Sequence, residues 1–187
     1  SGRFDITLDF RSLFGSKDLT SSKDVILYRK YDAAQGVTHC VASYSNVKES
    51  RTVGPNLSLV KSFVCVDGKD WQTSSVENPK DFSIANLIKT RDSRFEASFY
   101  HKPTATAKSS YLYPVKFIAR SALKYLETPG GAPDVEYTSA NNLNGYPVLR
   151  YAEVLLNWIE AKAELSTLGA GSVTQADIDL SVNKIRN

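Results

Sequence analysis

PVLRYAEVLLNWIEAKAELSTLGAGSVTQADIDLSVNKIRN, Pro147 to Asn187, is the stretch from which the fold is read. Proline is tolerated in the first turn of a helix, where its missing N–H has no intrahelical partner. From Pro147 the polar residues Glu153, Asn157, Glu160 and Glu164 recur at helical spacing. Tyr151 or Ala152, Leu155, Ile159 and Ala163 form the opposite, apolar side. The spacing predicts an amphipathic helix running to about Leu168, where Gly169 and Gly171 supply the residues that a helix end and a tight turn favour. Thr174 followed by Asp177 is a capping-box pattern, and Ile178, Val182 and Ile185 recur at i, i+4 and i+7. Two helices joined by so short a turn pack antiparallel. Such a pair does not bury its apolar faces by itself, so the hairpin is expected to pack against further helices.

Working outward, the composition is that of an ordinary globular protein: 42% hydrophobic and 23% charged residues over 187 positions. One domain is the default at this length. A net charge of +3, with both signs interspersed, makes no basic face, which argues against nucleic acid as a partner. No apolar run approaches the roughly 18 to 20 residues of a membrane-spanning helix. Ser1-Gly2 reads as the scar of a removed tag, and the chain has no methionine. Together with the uncapped pattern at Asn187, this leads us to expect a piece truncated at both ends. Cys40 and Cys65 are too few for a disulfide framework and lack CxxC spacing. Two buried thiols, or one disulfide in an exported protein, both fit.

The remainder, residues 1 to 145, is mixed and rich in loops. Asp5 to Phe14 places Ile6, Phe10, Leu13 and Phe14 at helical spacing before Gly15, which predicts a short packed helix. DVILYRKY, Asp24 to Tyr31, is rich in β-branched and aromatic residues and reads as a strand or extended segment. After a polar loop at 45 to 56, Leu57 to Val66 reads as a short helix with Leu59, Val60 and Phe63 on one side. Asp67-Gly68-Lys69-Asp70 is a turn. FEASFY, Phe95 to Tyr100, alternates, which predicts a strand with Phe95, Ala97 and Phe99 on one face. A small-residue loop at 102 to 110, an extended segment from Tyr111 to Ile118 and a long Gly-, Pro- and Asn-rich stretch from Thr128 to Asn144 complete the chain.

Groups that carry chemistry are sparse. His39 and His101 are the only histidines, and neither has a second ligand at metal spacing. GxSxG, HExxH and GxxxxGK[ST] are absent. His39-Cys40 are sequence neighbours, whose side chains point apart in a strand, so they do not make a nucleophile and base. Glu153, Glu160 and Glu164 share one helical face, as paired acids in a hydrolase would, but a solvated face uses the same pattern and the Glu-x-x-His of a di-metal bundle is missing. KTRDSR could grip an anion, but a charged turn with Arg91 and Arg94 bonding nearby carboxylates or carbonyls is the commoner use of such residues. The expectation is no catalytic residue, no metal site and no cofactor.

Aromatic residues are what remain: 10 Tyr, 8 Phe and 2 Trp. Trp158 lies mid-helix among apolar neighbours, which predicts core packing. Trp71 follows a turn and precedes QTSS, where no core period requires a large ring. A ring beside polar groups suits a sugar, whose apolar face stacks on it while the hydroxyls take hydrogen bonds. Tyr111 and Tyr113, next to a loop, are candidates of the same kind. Rings half-buried under a loop make up the competing reading for all three.

YPVLRYAEVLLNWIEAKAEL (Tyr146 to Leu165) with VTQADIDLSVNKIRN (Val173 to Asn187) closely resembles the C-terminal region of the SusD/RagB family. These are nutrient-binding lipoproteins of the outer surface of Bacteroidetes, associated with starch-utilisation systems. DVILYRKYDAAQGVTHCVASY (Asp24 to Tyr44), LVKSFVCVDGKDW (Leu59 to Trp71) and TRDSRFEASFY (Thr90 to Tyr100) fit the same family in the same order. The resemblance implies a mainly α fold, a TPR-like α/α superhelix with an irregular, loop-rich subdomain containing a few short strands. It implies one SusD/RagB-like region over 1–187, with a loop-rich part at 1–145 and a helical hairpin at 146–187. It also implies glycan capture without cleavage, delivery to a SusC-like TonB-dependent transporter, and outer-membrane attachment through a lipidated cysteine that this chain does not contain. A docking role in the transporter complex, without ligand contact in this region, is the alternative.

Overall fold

The computed structural model describes residues 2–7, 9–46, 54–102 and 111–186. In chain order the elements are α1 (Phe10–Gly15), β1 (Val25–Arg29), α2 (Val41–Asn46), α3 (Leu57–Ser62), α4 (Ile84–Thr90), α5 (Ser93–Ser98), β2 (Tyr146–Arg150), α6 (Tyr151–Thr167), α7 (Gln175–Ile178) and α8 (Lys184–Arg186). Single 3-10 turns lie at Ala33–Gln35 and Val135–Tyr137, a longer 3-10 helix at Arg120–Glu127, and a π turn at Asp179–Asn183. The fold is mainly α, and β1 with β2 forms the one sheet among the described residues. Contacts group into two units: Ser1–Asp9, Asp18–Lys30 and Gly145–Asn187 in the first, Phe10–Lys17 and Tyr31–Asn144 in the second.

In the first unit β1 and β2 run antiparallel, with Val25 opposite Arg150, Leu27 opposite Leu149 and Tyr28 opposite Pro147. The helix expected from Pro147 therefore begins four residues later, at Tyr151. Pro147 fits an outer strand because a two-stranded ribbon does not need both backbone edges to donate. The strand-to-helix junction is fixed by Asp24, whose side chain is fully buried. Its carboxylate accepts from Arg150 Nε at 3.0 Å and Nη2 at 2.5 Å, while its carbonyl accepts the Tyr151 N–H at 2.7 Å.

α6 buries Ala152 and Leu155 and ends in a Schellman motif: the Ala170 N–H donates to Leu165 O and the Gly169 N–H to Ser166 O. Gly169 has φ +75°, which an L side chain adopts only at a cost. The predicted capping box is present at the start of α7, with Thr174 accepting from the Asp177 N–H and Asp177 accepting from the Thr174 N–H. Lys162 reaches back from α6 to Asp177 at 2.5 Å, and this pairing with the cap hydrogen bonds lowers the Asp177 carboxyl to about 2. Beyond α7 the backbone widens into the π turn, around the buried Ser181, whose hydroxyl donates to Asp177 O at 2.6 Å.

The second unit has two apolar cores. One gathers Ala42, Tyr100, Tyr113, Val115, Ile118, Leu123 and Tyr137; the other gathers Val60, Ile84, Leu87, Phe95, Phe99 and Leu112. The strand expected at Phe95–Tyr100 is helical from Phe95 to Ser98, and only Phe99, bridged to Pro114, is extended. Asp92 accepts the Arg94 N–H and caps α5, and Phe95 and Phe99 stack one helical turn apart with centroids at 5.0 Å. Phe63 meets both rings edge-on. Leu59 points outward, so α3 presents Val60 alone to the core. The N-terminal helix is shorter than expected, because Ile6 precedes it in extended backbone where the Asp5 N–H donates to Lys23 O.

Long, irregular segments are held by side chains that bond to backbone. Asn142 accepts the Ala42 N–H and donates to Glu136 O, and its backbone pairs with His39 in both directions. Asn144 donates to Gly15 O at 2.6 Å. These two buried amides fasten the stretch from Thr128 to Asn144 to the rest of its unit. Gly131 is required there, since a Cβ would lie 2.4 Å from Tyr125 O. The loops expected at 45–56 and 102–110 fall largely at residues 47–53 and 103–110, outside the described residues.

Candidate ligand-binding surface

The turn at Asp67–Asp70 builds the setting of Trp71. Asp67 accepts the Lys69 and Ser75 N–H groups and the hydroxyls of Ser74 and Ser75 at 2.9 to 3.2 Å, which holds its carboxyl at about 2. Asp70 accepts from the Gln72 and Thr73 N–H groups and the Thr73 hydroxyl, and these bonds lower its pKa. Both carboxylates are consumed in shaping backbone. The turn delivers Trp71, half-buried, edge-on to Phe82 with centroids 5.5 Å apart.

Two cations bracket the pair. The Lys61 ammonium lies 4.9 Å from the Trp71 centroid and 5.9 Å from that of Phe82. On Phe82 the Arg91 guanidinium sits at 5.6 Å. Arg91 is fully buried and donates to Thr90 Oγ1 at 2.9 Å, Pro79 O at 2.8 Å and Cys65 Sγ at 3.3 Å. Arg94 pairs with Asp92 through two nitrogens. The arginines of KTRDSR thus do bond carbonyl and carboxylate, as read from the sequence, and Arg91 in addition supports the ring on which Trp71 rests.

Tyr111 is 58% exposed, and its hydroxyl accepts the Ile84 N–H at 3.3 Å, supplying α4 with a partner for one of its unsatisfied first-turn donors. Phe82, which Trp71 meets, and Tyr111 both lie at the start of α4, on either side of the buried Ile84. Tyr113 does not join them. At 2% exposure it is a core residue beside Tyr100, whose N–H donates to Tyr113 O, while the adjacent Leu112 is buried in the other core. Its place as a stacking candidate is withdrawn. Phe82 is the ring that sequence reading missed; its position between a proline turn and a helix start, in NPKDFS, resembled any other apolar residue at a helix end.

Trp158 also departs from expectation. It is 38% exposed on α6, with the Lys162 ammonium 5.4 Å from its ring, because α6 uses only its Ala152–Leu155 edge for burial. Glu153, Glu160 and Glu164 are exposed on the same helix. His39 is half-buried against Tyr31, with Nδ1 accepting the Val41 N–H and Nε2 donating to Asn144 O. Both ring nitrogens are occupied, and burial lowers its pKa, so the ring is neutral and not placed to activate Cys40. Cys40 and Cys65 are free thiols. Among the described residues there is no group of three His, Cys, Asp or Glu side chains placed to hold a metal ion, and no helix is long and apolar enough to cross a membrane.

The family model for the SusD family matches residues 23–187. This chain belongs to the SusD family. Among solved structures, a SusD-like carbohydrate binding protein from Bacteroides fragilis NCTC 9343 superposes with a TM-score of 0.69 at 22% identity. The match covers 99% of this chain and 37% of that one, so the chain spans about 37% of the length of its structural relative. At that identity the likeness carries the fold: the hairpin and the loop-rich second unit are both parts of a SusD-type architecture. No curated protein sequence matches the chain closely.

Proposed function

We propose that this SusD-family chain takes part in non-enzymatic capture of glycans at the bacterial cell surface, with Trp71 and Tyr111 as the stacking residues. The observation that carries the reading is the rings around the start of α4: a half-buried Trp71 buttressed by Phe82, and a largely exposed Tyr111 bonded to the Ile84 N–H, set among polar side chains. Rings held by their edges keep faces for a pyranose, and the surrounding hydroxyls and amides suit its polar rim. Lys61 is a flexible cover for the Trp71 face, able to swing aside or to donate to a sugar oxygen. Delivery to a SusC-like TonB-dependent transporter, and attachment to the outer membrane through a lipid anchor, complete the proposal and rest on family membership.

Calorimetric titration with a panel of plant and host oligosaccharides tests it. Trp71→Ala and Tyr111→Ala are each expected to weaken binding by roughly three- to tenfold, the size of an aromatic contact. Binding that is indifferent to both substitutions, or no binding across the panel, overturns the assignment. A second reading is favoured by a different observation. Val154, Trp158, Leu165 and Leu168 are exposed and recur along one side of α6 at spacings of four, seven and three. Such an apolar row suits protein contact, and retention of a SusC-like transporter by the wild-type chain but not by Trp158→Glu is what docking predicts.

A further inference from the structure

A hollow of about 160 Å³ opens on the second unit, lined by Tyr100, His101, Arg120, Leu123, Lys124 and Glu127. Its floor is fixed: Tyr100 and Leu123 both belong to the first of the two apolar cores of this unit. Its rim is ionic. Arg120, Lys124 and Glu127 all come from the 3-10 helix Arg120–Glu127 and line the hollow; Lys124 and Glu127, three apart, fall on one edge of it.

The two ends of the rim differ in character. At one, Glu127 Oε1 accepts the Tyr100 hydroxyl at 3.3 Å and lies 3.8 Å from His101 Nε2. Burial and the Glu127 charge raise the Tyr100 pKa, so the phenol remains a donor. At the other, Arg120 is anchored on Glu96, donating to its carbonyl and lying 3.4 Å from its carboxylate, which Arg11 also engages. Lys124 adds a second positive charge and has no carboxylate at ion-pair distance among the described residues. The hollow therefore offers cationic donors at one end and, at the other, a carboxylate acceptor beside an imidazole, above an apolar floor.

A guest that satisfies all three features carries a negative group, hydroxyls and an apolar face. The volume lies below the roughly 300–1,000 Å³ of pockets for drug-sized ligands, so the guest is one small ring. We propose that this hollow binds a hexuronate unit, its carboxylate at Arg120 and Lys124 and its hydroxyls at Glu127 and His101. The choice of a sugar over another small carboxylate rests on the glycan-binding reading above; the charge complementarity does not.

The test is a titration of the ¹⁵N-labelled chain with sodium D-glucuronate, D-glucose and sodium acetate, followed by amide chemical shifts. Glucuronate is expected to move the amides of residues 100–101 and 120–127 saturably, and to bind about tenfold tighter than glucose or acetate. Lys124→Ala is expected to weaken glucuronate about tenfold and Lys124→Arg to retain most of the affinity. No shifts at these amides, equal affinity for glucose or acetate, or an unchanged affinity in Lys124→Ala overturns the proposal. A chain that binds glucuronate here but no neutral oligosaccharide keeps the hollow and removes the Trp71 patch. The reverse pattern removes the hollow and keeps the patch.

Discussion

In the first unit a 17-residue helix, a capped return helix and a two-stranded ribbon account for most of the ordered backbone, whereas in the second no helix among the described residues exceeds eight residues. The first unit satisfies its peptide groups through repeating hydrogen bonds and fastens the ends with a cap and a buried ion pair. The second relies on side chains instead, with Asn142, Asn144, Asp67 and Asp70 bonding to backbone that no ladder or helix accounts for. Its two apolar cores mix tyrosine or phenylalanine rings with aliphatic side chains. Irregular backbone is therefore the more exacting architecture, each polar side chain in it being tied to one site.

That contrast is broken hardest at Asp24. Arg150→Ala leaves a fully buried carboxylate without its guanidinium and is expected to cost about 3–5 kcal/mol in urea unfolding. Arg150→Ala combined with Asp24→Asn recovers part of the loss if the unpaired charge is the cause. In the second unit Asn142→Ala removes the acceptor of the Ala42 N–H and the donor to Glu136 O, for an expected loss of about 2 kcal/mol. Amide exchange of this variant is expected to rise first around residues 37–43 and 135–142. Thr174→Ala, which removes only a helix cap, is expected to cost about 1 kcal/mol, and Thr174→Asp to cost less.

The smallest effect is one of pH. His39 is buried as the neutral ring, so its folded-state pKa lies below the ordinary value near 6.5. The unfolded chain then binds the proton more readily, and stability present above pH 6.5 declines as the pH falls from there towards the folded pKa. Unfolding free energies measured between pH 8 and pH 5 should show this slope in the wild type. His39→Gln, which can still donate to Asn144 O, should flatten it; an identical slope in both proteins would exclude His39 as the source.

How much of this was legible in the sequence follows the same division. The turn at Gly169 and the cap at Thr174 were written in local residue types, and of the predicted inward side of α6 Ala152 and Leu155 are buried while Ala163 is exposed. The start of α6 was misplaced since Val148 and Leu149 suit helix and strand equally, and only the pairing of Pro147 with Tyr28 and of Leu149 with Leu27, more than a hundred residues away, decides between them. In the second unit a run as short as FEASFY admits period two and period four together; Asp92 as a cap was the local signal that favoured the helix. Trp71 and Tyr111 were singled out because each sits beside a turn, and Tyr113, which the structure buries, gave the same local signal. Phe82, Arg120 and Lys124 gave no pattern at all: the ring that meets Phe82 and the residues that share the hollow with Arg120 and Lys124 include ones distant in sequence.

The two cysteines give the second unit a built-in clock. Cys40 is partly exposed, while Cys65 is 1% exposed with its sulfur against Arg91. A thiol reagent added to the folded chain should modify Cys40 promptly and Cys65 only at the pace at which the segment joining α3 to α4 opens. The ratio of singly to doubly modified protein over time, read by intact mass, would measure that opening directly, and a bound sugar on the Trp71 patch would be expected to slow it.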